Sequence, residues 1–155
     1  MLASLGAITC LMDAEVGHIA GAPGGTEFVQ RLFAEVVATV GAEWRALTDA
    51  FKSQVLALLT DGASNLTSSM YRDMKSAHRI EADQIVGDLV RHAAARGVAT
   101  PLLSTVLVRL KVYEETQRAP TPLPRLLQHA ADRGDALGLE AQPVHASCVA
   151  GRARP

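Results

Sequence analysis

The sequence predicts an all-α fold, a bundle of helices. Apolar residues recur at spacings of three and four along most of the chain, the period of a helix face. Between these runs stand glycines, prolines and Ser/Thr/Asp residues of the kind that stop and start helices. No stretch alternates apolar and polar residues in the manner of a strand, and no internal repeat is visible.

Residues 2–14 read as the first helix, with Leu2, Leu5, Ile8, Leu11 and Met12 at helical spacing. Small residues (Ala3, Ser4, Gly6, Ala7) fill the gaps, so the helix is apolar nearly all round and belongs in an interior. Gly21-Ala22-Pro23-Gly24-Gly25 is a turn. Phe28, Leu32, Phe33, Val36, Val37 and Val40 then mark one face of a second helix, expected to end near Gly41. A third helix is expected from Thr48 to Leu59 through Phe51, Val55, Leu56 and Leu59, with Asp61-Gly62 as its stop.

A short helix is expected to start near Ser68, because Ser and Thr are natural caps. Glu81 to Arg96 is the clearest helix: Ile85, Leu89 and Ala93 form one row, Val86 and Val90 lie beside it, and Gly97 is its stop. Gly87 inside it costs ~1 kcal/mol relative to Ala, and close packing against another helix is the expected reason. Thr100-Pro101 reads as a cap followed by proline at the first helical position. That helix carries Leu102, Leu103, Val106, Leu107, Leu110 and Tyr113 and reaches about Gln117. Pro120, Pro122 and Pro124 break the pattern. Two segments follow: a helical domain over 1–118, and a Pro-rich, partly disordered tail over 119–155 with room for one short helix at 124–132.

The 155 residues are enough for one domain with a core of its own. Apolar residues make up 48% and charged residues 20%, with a net charge of −1. That balance offers no basic patch for nucleic acid or an anionic membrane surface. The apolar stretch Met1 to Met12 is shorter than the ~20 residues of a membrane span and lacks a basic leader, so neither a membrane helix nor a signal peptide is expected. Cys10 and Cys148 form neither a disulfide framework nor a metal pattern and read as free thiols in a reducing, cytoplasmic compartment.

Most motifs that carry chemistry are absent. There is no G-x-G-x-x-G after a strand, no phosphate-cradling P-loop, no H-E-x-x-H and no G-x-S-x-G. His18, His78, His92, His129 and His145 lack metal-ligand spacing. The informative segment is 67–101. It holds Ser68-Ser69-Met70 with Asp73, then Glu81 with Asp83, Gly87 within a helix, and Gly97-Val98 with Pro101. These separated elements, in register, resemble the C-terminal domain of the ketopantoate reductase (2-dehydropantoate 2-reductase) family. Leu2 to Thr9 and Val16-Gly17-His18-Ile19 resemble the first helix of that domain and the turn after it, so the likeness covers about residues 2–117.

The resemblance implies a fold like the 6-phosphogluconate dehydrogenase C-terminal domain and, for the intact family, an NADP(H)-dependent reduction of a 2-oxoacid such as ketopantoate. The family's Rossmann domain and catalytic lysine would lie upstream of Met1. No catalytic residue is therefore expected in this chain, and no cofactor is expected to bind it alone. Two roles carry over: Ser69 resembles the serine that hydrogen-bonds the substrate carboxylate or hydroxyl, and Glu81 resembles the acid that binds or orients substrate near the catalytic lysine. Hydride delivery to a ketone leaves an alkoxide that needs a proton donor and fixed hydrogen bonds. Read without the family, Ser69 is a helix cap or first-turn residue, and Glu81 a first-turn acid favoured by the helix dipole. Asp73 and Asp83 read as solvated or capping, and Lys75 as a surface lysine rather than a substitute acid. Leu2 and Gly6 fall where family members on ketopantoate carry asparagine, which leaves the substrate open. Expected partners are the 2-oxoacid, a second copy in a homodimer, and a separate nucleotide-binding domain; the alternative is a non-catalytic helical oligomerisation or binding module.

Overall fold

The computed structural model describes residues 1–118. These form α1 (Leu2–Met12), α2 (Val16–Gly21), α3 (Gly25–Glu43), α4 (Asp49–Leu59), α5 (Ser69–Lys75), a π turn (Asp83–Gly87) that runs on into α6 (Asp88–Ala95), and α7 (Pro101–Arg118). No strand occurs among the described residues, so the all-α expectation holds. The tail with its helix at 124–132, and Cys148 within it, lie outside the described residues.

α1 is the centre. Ser4 through Cys10 are all buried, and α2, α3, α5, the π turn and α7 pack around it. The small residues between the large ones make this possible: a Cβ on Gly6 would sit 3.0 Å from the Met70 Cε of α5. The helix stops before the expected residue 14. Asp13 takes the left-handed conformation (φ 52°), and its N–H bonds back to the Thr9 carbonyl. The two apolar ends, Leu2 and Met12, are exposed.

Val16-Gly17-His18-Ile19, expected as a turn, is the first part of α2. Its unpaired first N–H groups are met from elsewhere in the chain: Val16 N–H donates to the Leu66 carbonyl at 3.1 Å and Gly17 N–H to that of Ser64 at 2.8 Å. A Cβ on Gly17 would come within 2.6 Å of the Ser64 carbonyl oxygen, so the glycine that reads as a breaker is there for close approach of a loop. α3 buries Val29, Leu32, Phe33, Val36 and Thr39, with Phe28, Val37 and Val40 at the margin, and continues past Gly41 to Glu43. α4 begins as expected, with the Thr48 hydroxyl accepting from Phe51 N–H at 3.3 Å. It buries only Val55 and Leu59, and Phe51 is left exposed.

The helix expected over 81–96 is broken in its geometry. It opens with a π turn, in which the Asp88 N–H reaches the Asp83 carbonyl five residues back. The buried row is Ala82, Val86, Leu89 and Ala93, and Ile85 is half-buried. Gly87 is not explained by packing against another helix. The nearest atoms to a Cβ there belong to its own helix, Asp83 Oδ1 at 3.0 Å and Arg91 Nη1 at 3.2 Å.

α7 runs from Pro101 as expected, but a side chain from α3 meets its first N–H groups. Glu35 accepts from Leu102 N–H at 3.0 Å and Leu103 N–H at 2.9 Å, one through each carboxylate oxygen. A carboxylate on a helix N-terminus is favoured by both the unpaired donors and the dipole. Glu35→Ala is expected to lower stability by about 1–2 kcal/mol, the cost of losing a helix cap, measured as the shift in urea midpoint. An unchanged midpoint would show that water replaces this carboxylate without loss.

Candidate functional site

The chain between α5 and the π turn forms one wall of a cavity of about 840 Å³. Ile80 is buried in the core while Arg79 and Glu81 on either side of it are exposed, and both line the cavity. Asp83 and Gln84 come from the π turn; Tyr113, Glu114, Gln117 and Arg118 come from the last turns of α7. The Tyr113 hydroxyl donates to the His78 carbonyl at 2.6 Å and pins α7 to the loop before Glu81. Desolvation raises the Tyr113 pKa above its ordinary value, with a smaller push from Asp73, so the phenol stays a donor.

Lys111 organises the acids. It pairs with Asp83 and, at 2.9 Å, with Glu114. The hydrogen bond from Lys111 holds the Asp83 carboxyl below its ordinary value, and the bonds to Asp83 and Glu114 raise the ammonium above its own. Glu81 and Arg79 have no ion-pair or side-chain hydrogen-bond partner among the described residues.

Ser69 lies elsewhere. Ser68 is the cap of α5, accepting from Tyr71 N–H at 3.0 Å, and its hydroxyl meets that of Thr9 at 2.9 Å inside the core. Ser69 is the first residue of the helix and is exposed. The Ser68-Ser69-Met70 triplet thus divides its work: Ser68 caps, Met70 packs over Gly6, and Ser69 faces outward. The cavity takes in Glu81 and not Ser69. Lys75 bridges to both carboxylate oxygens of Asp13 at 3.2 Å, and Asp73 lies 3.9 Å from His78. Leu2 is exposed at the start of α1, whereas an asparagine at buried Gly6 would require the Met70 methyl to move. Cys10 is buried on α1, and desolvation pushes its thiol up to about 11, which keeps it protonated and inert at neutral pH. Ser4 is the one buried side chain whose hydroxyl lacks a partner among the described residues.

Sequence reasoning missed Arg79, Gln84, Gln117 and the Lys111 bridge. Asp83 and Lys111 are 28 residues apart, and only the docking of α7 on the π turn brings them together. No group of His, Cys, Asp and Glu among the described residues could hold a metal ion, and no described helix is long and apolar enough to cross a membrane.

The family model described as ketopantoate reductase PanE/ApbA C terminal matches residues 1–114. A 2-dehydropantoate 2-reductase of Caulobacter vibrioides is 31% identical over 105 residues, covering 68% of this chain and 36% of that protein. Among solved structures, a ketopantoate reductase of Staphylococcus aureus described as dimeric superposes with a TM-score of 0.65 at 22% identity, covering 75% of this chain and 41% of that one. A D-mandelate dehydrogenase solved with NADH and anilino(oxo)acetate gives 0.64 at 18%, covering 76% and 49%. The chain spans about a third of the length of the curated relatives it matches.

The pairing of Asp83 has a pH signature. Its pKa is depressed, so the interaction is complete above the ordinary value of 3.8 and is lost as pH falls through the lower, folded value. Lys111→Met is expected to return the Asp83 carboxyl resonance to an ordinary midpoint in an NMR titration. A midpoint unmoved by the substitution would remove Lys111 as the cause.

Proposed function

The chain belongs to the ketopantoate reductase C-terminal domain family, and from that premise we propose that it is the substrate-binding half of an NADP(H)-dependent reductase of 2-oxoacids such as ketopantoate. In this reading residues 1–118 are the substrate-binding and dimerisation domain. The nucleotide-binding domain and the catalytic lysine belong to the rest of a longer parent, or to a separate chain. Glu81 carries the reading, as a carboxylate at the position of the family's substrate acid that opens on a polar cavity with no partner of its own. There it accepts a hydrogen bond from a substrate hydroxyl, and when bound the cofactor supplies the hydride. Ser69, exposed in the first turn of α5, offers a hydroxyl.

The likeness to a 2-dehydropantoate 2-reductase supports ketopantoate as substrate, and the enzyme would act in the cytoplasm in pantothenate biosynthesis. A homodimer is proposed as well. Val108 and Val112 stand exposed, 63% and 54%, in an apolar stripe along α7, and the Staphylococcus aureus relative in fold is dimeric.

Fluorescence titration of the purified chain with NADPH, with and without ketopantoate, is expected to show no saturable cofactor binding up to millimolar concentration. Saturation would mean that these helices hold a nucleotide site, and the assignment of halves would be wrong. Separately, Val112→Glu is expected to convert the sedimenting species from dimer to monomer without loss of helical signal; a wild-type chain that sediments as a monomer at every concentration would end the dimer proposal.

A further inference from the structure

We propose that Gly87 and Arg91 are positioning residues of the cavity wall: the missing side chain of Gly87 lets the Arg91 guanidinium reach back to the Asp83 carbonyl, and that contact holds the π turn on which the wall is built. The inference goes beyond the substrate reading above and rests on it only for the use to which the wall is put.

Asp83, Gly87 and Arg91 fall four residues apart and so form one row along the helix, with a gap between two polar side chains. Gly87 has ordinary helical angles (φ −61°, ψ −41°), so its backbone does not call for glycine. It is buried, and alanine in its place would favour the helix by ~1 kcal/mol. The side chains on either side of the gap explain the choice. A Cβ at 87 would stand 3.0 Å from Asp83 Oδ1 and 3.2 Å from Arg91 Nη1, and the nearest atoms to it all belong to these two residues.

Across that gap Arg91 makes two contacts. Its Nη2 donates to the Asp83 carbonyl at 3.3 Å and to the Asp88 carboxylate. The Asp83 carbonyl is the one that accepts the Asp88 N–H across the π turn. Arg91 thus bonds both the acceptor of the wide turn and the side chain of its donor residue. Lys111 takes the Asp83 carboxylate through Oδ2, from α7. The two cations hold Asp83 at different atoms, one at the backbone and one at the side chain. The hydrogen bond from Lys111 is the main cause of the low Asp83 pKa, and the charge of Arg91 adds to it. Asp83 and Gln84 of the turn line the cavity together with Glu81, two residues before it. Wide turns of this kind are frequent at functional sites.

The test is made on the full chain by NMR. Scalar coupling across the hydrogen bond identifies the carbonyl that the Asp88 N–H meets: Asp83 in a π turn, Gln84 in an α-helix. The wild type is expected to couple Asp88 to Asp83. Gly87→Ala and Arg91→Met are each expected to lose that coupling, to gain one to Gln84, and to raise the Asp83 carboxyl midpoint by less than Lys111→Met does. Arg91→Lys, which keeps the charge on a shorter stem, restores part of both. The melting temperature of Gly87→Ala is expected to hold or rise, since alanine favours a helix; a merely structural role for the glycine would lower it and leave the coupling in place. Ketopantoate, followed by shifts at residues 79–84, is expected to bind both variants severalfold more weakly. If either variant keeps the coupling of Asp88 to Asp83, or loses it with ketopantoate binding unchanged, the inference falls while the substrate reading stands. If tens of millimolar ketopantoate leaves residues 79–84 unperturbed in the wild type, the substrate reading falls, and the hold of Gly87 and Arg91 on the turn is decided by the coupling alone.

Discussion

The burial of α1 is the constraint on which the rest of the fold depends. A helix enclosed on every side has no face for polar groups, so any that it carries must find partners inside. Thr9 does so twice, donating to the Leu5 carbonyl at 2.7 Å and meeting the Ser68 hydroxyl at 2.9 Å. That second bond lies where α5 begins. Ser68 is at once the cap of α5 and the partner of a core threonine, so the start of one helix is fixed by the interior of another. The small side chains of α1 set the distances: a Cβ at position 6 would lie 3.0 Å from the Met70 methyl of α5.

The periphery is held by helix ends rather than by faces. α2 and α7 both leave N–H groups that their own first residues do not cap, and both draw acceptors from distant chain. Carbonyls of the 64–66 loop serve α2, and Glu35 of α3 serves α7. At the C-terminal end of α3, Glu43 reaches His92 at 3.3 Å and Arg96 at 2.8 Å, which fastens α6. α3 thus ties down the start of α7 and the end of α6 through two glutamates about two turns apart. An exposed ion pair adds little to stability, but these fix which residues meet.

How much of this was legible in the sequence follows from the range of each interaction. Thr48 and Ser68 cap within three residues of themselves, and both starts are readable from residue type. The Thr100-Pro101 signal gives the right start for α7 for an incomplete reason, since the acceptor is Glu35, more than sixty residues earlier. Gly17 misleads because a glycine needed for close approach looks the same as one that ends a helix. The π turn leaves no mark on the apolar pattern, since the buried row Ala82, Val86, Leu89 and Ala93 keeps α-helical spacing. At the candidate site, Glu81 was found through likeness to a family, but Arg79, two residues away, had no motif to announce it. Ser69 was named from the same triplet as Ser68, and the local sequence cannot say which hydroxyl turns inward.

The position of Lys111 sets the charge balance of the cavity wall. Glu81, Asp83 and Glu114 are three carboxylates on one concave surface, and left alone they would repel any acid. Lys111 sits between Asp83 and Glu114 and cancels part of that field. The π turn contributes to this directly: it carries Asp83 at its first position, and α7 packs on it with Lys111 and Glu114 one helical turn apart. A regular α-helix through 83–87 would rotate Asp83 relative to Val86 and Leu89. The π turn thus holds Asp83, paired with Lys111, and Val86, buried in the core, within one five-residue segment.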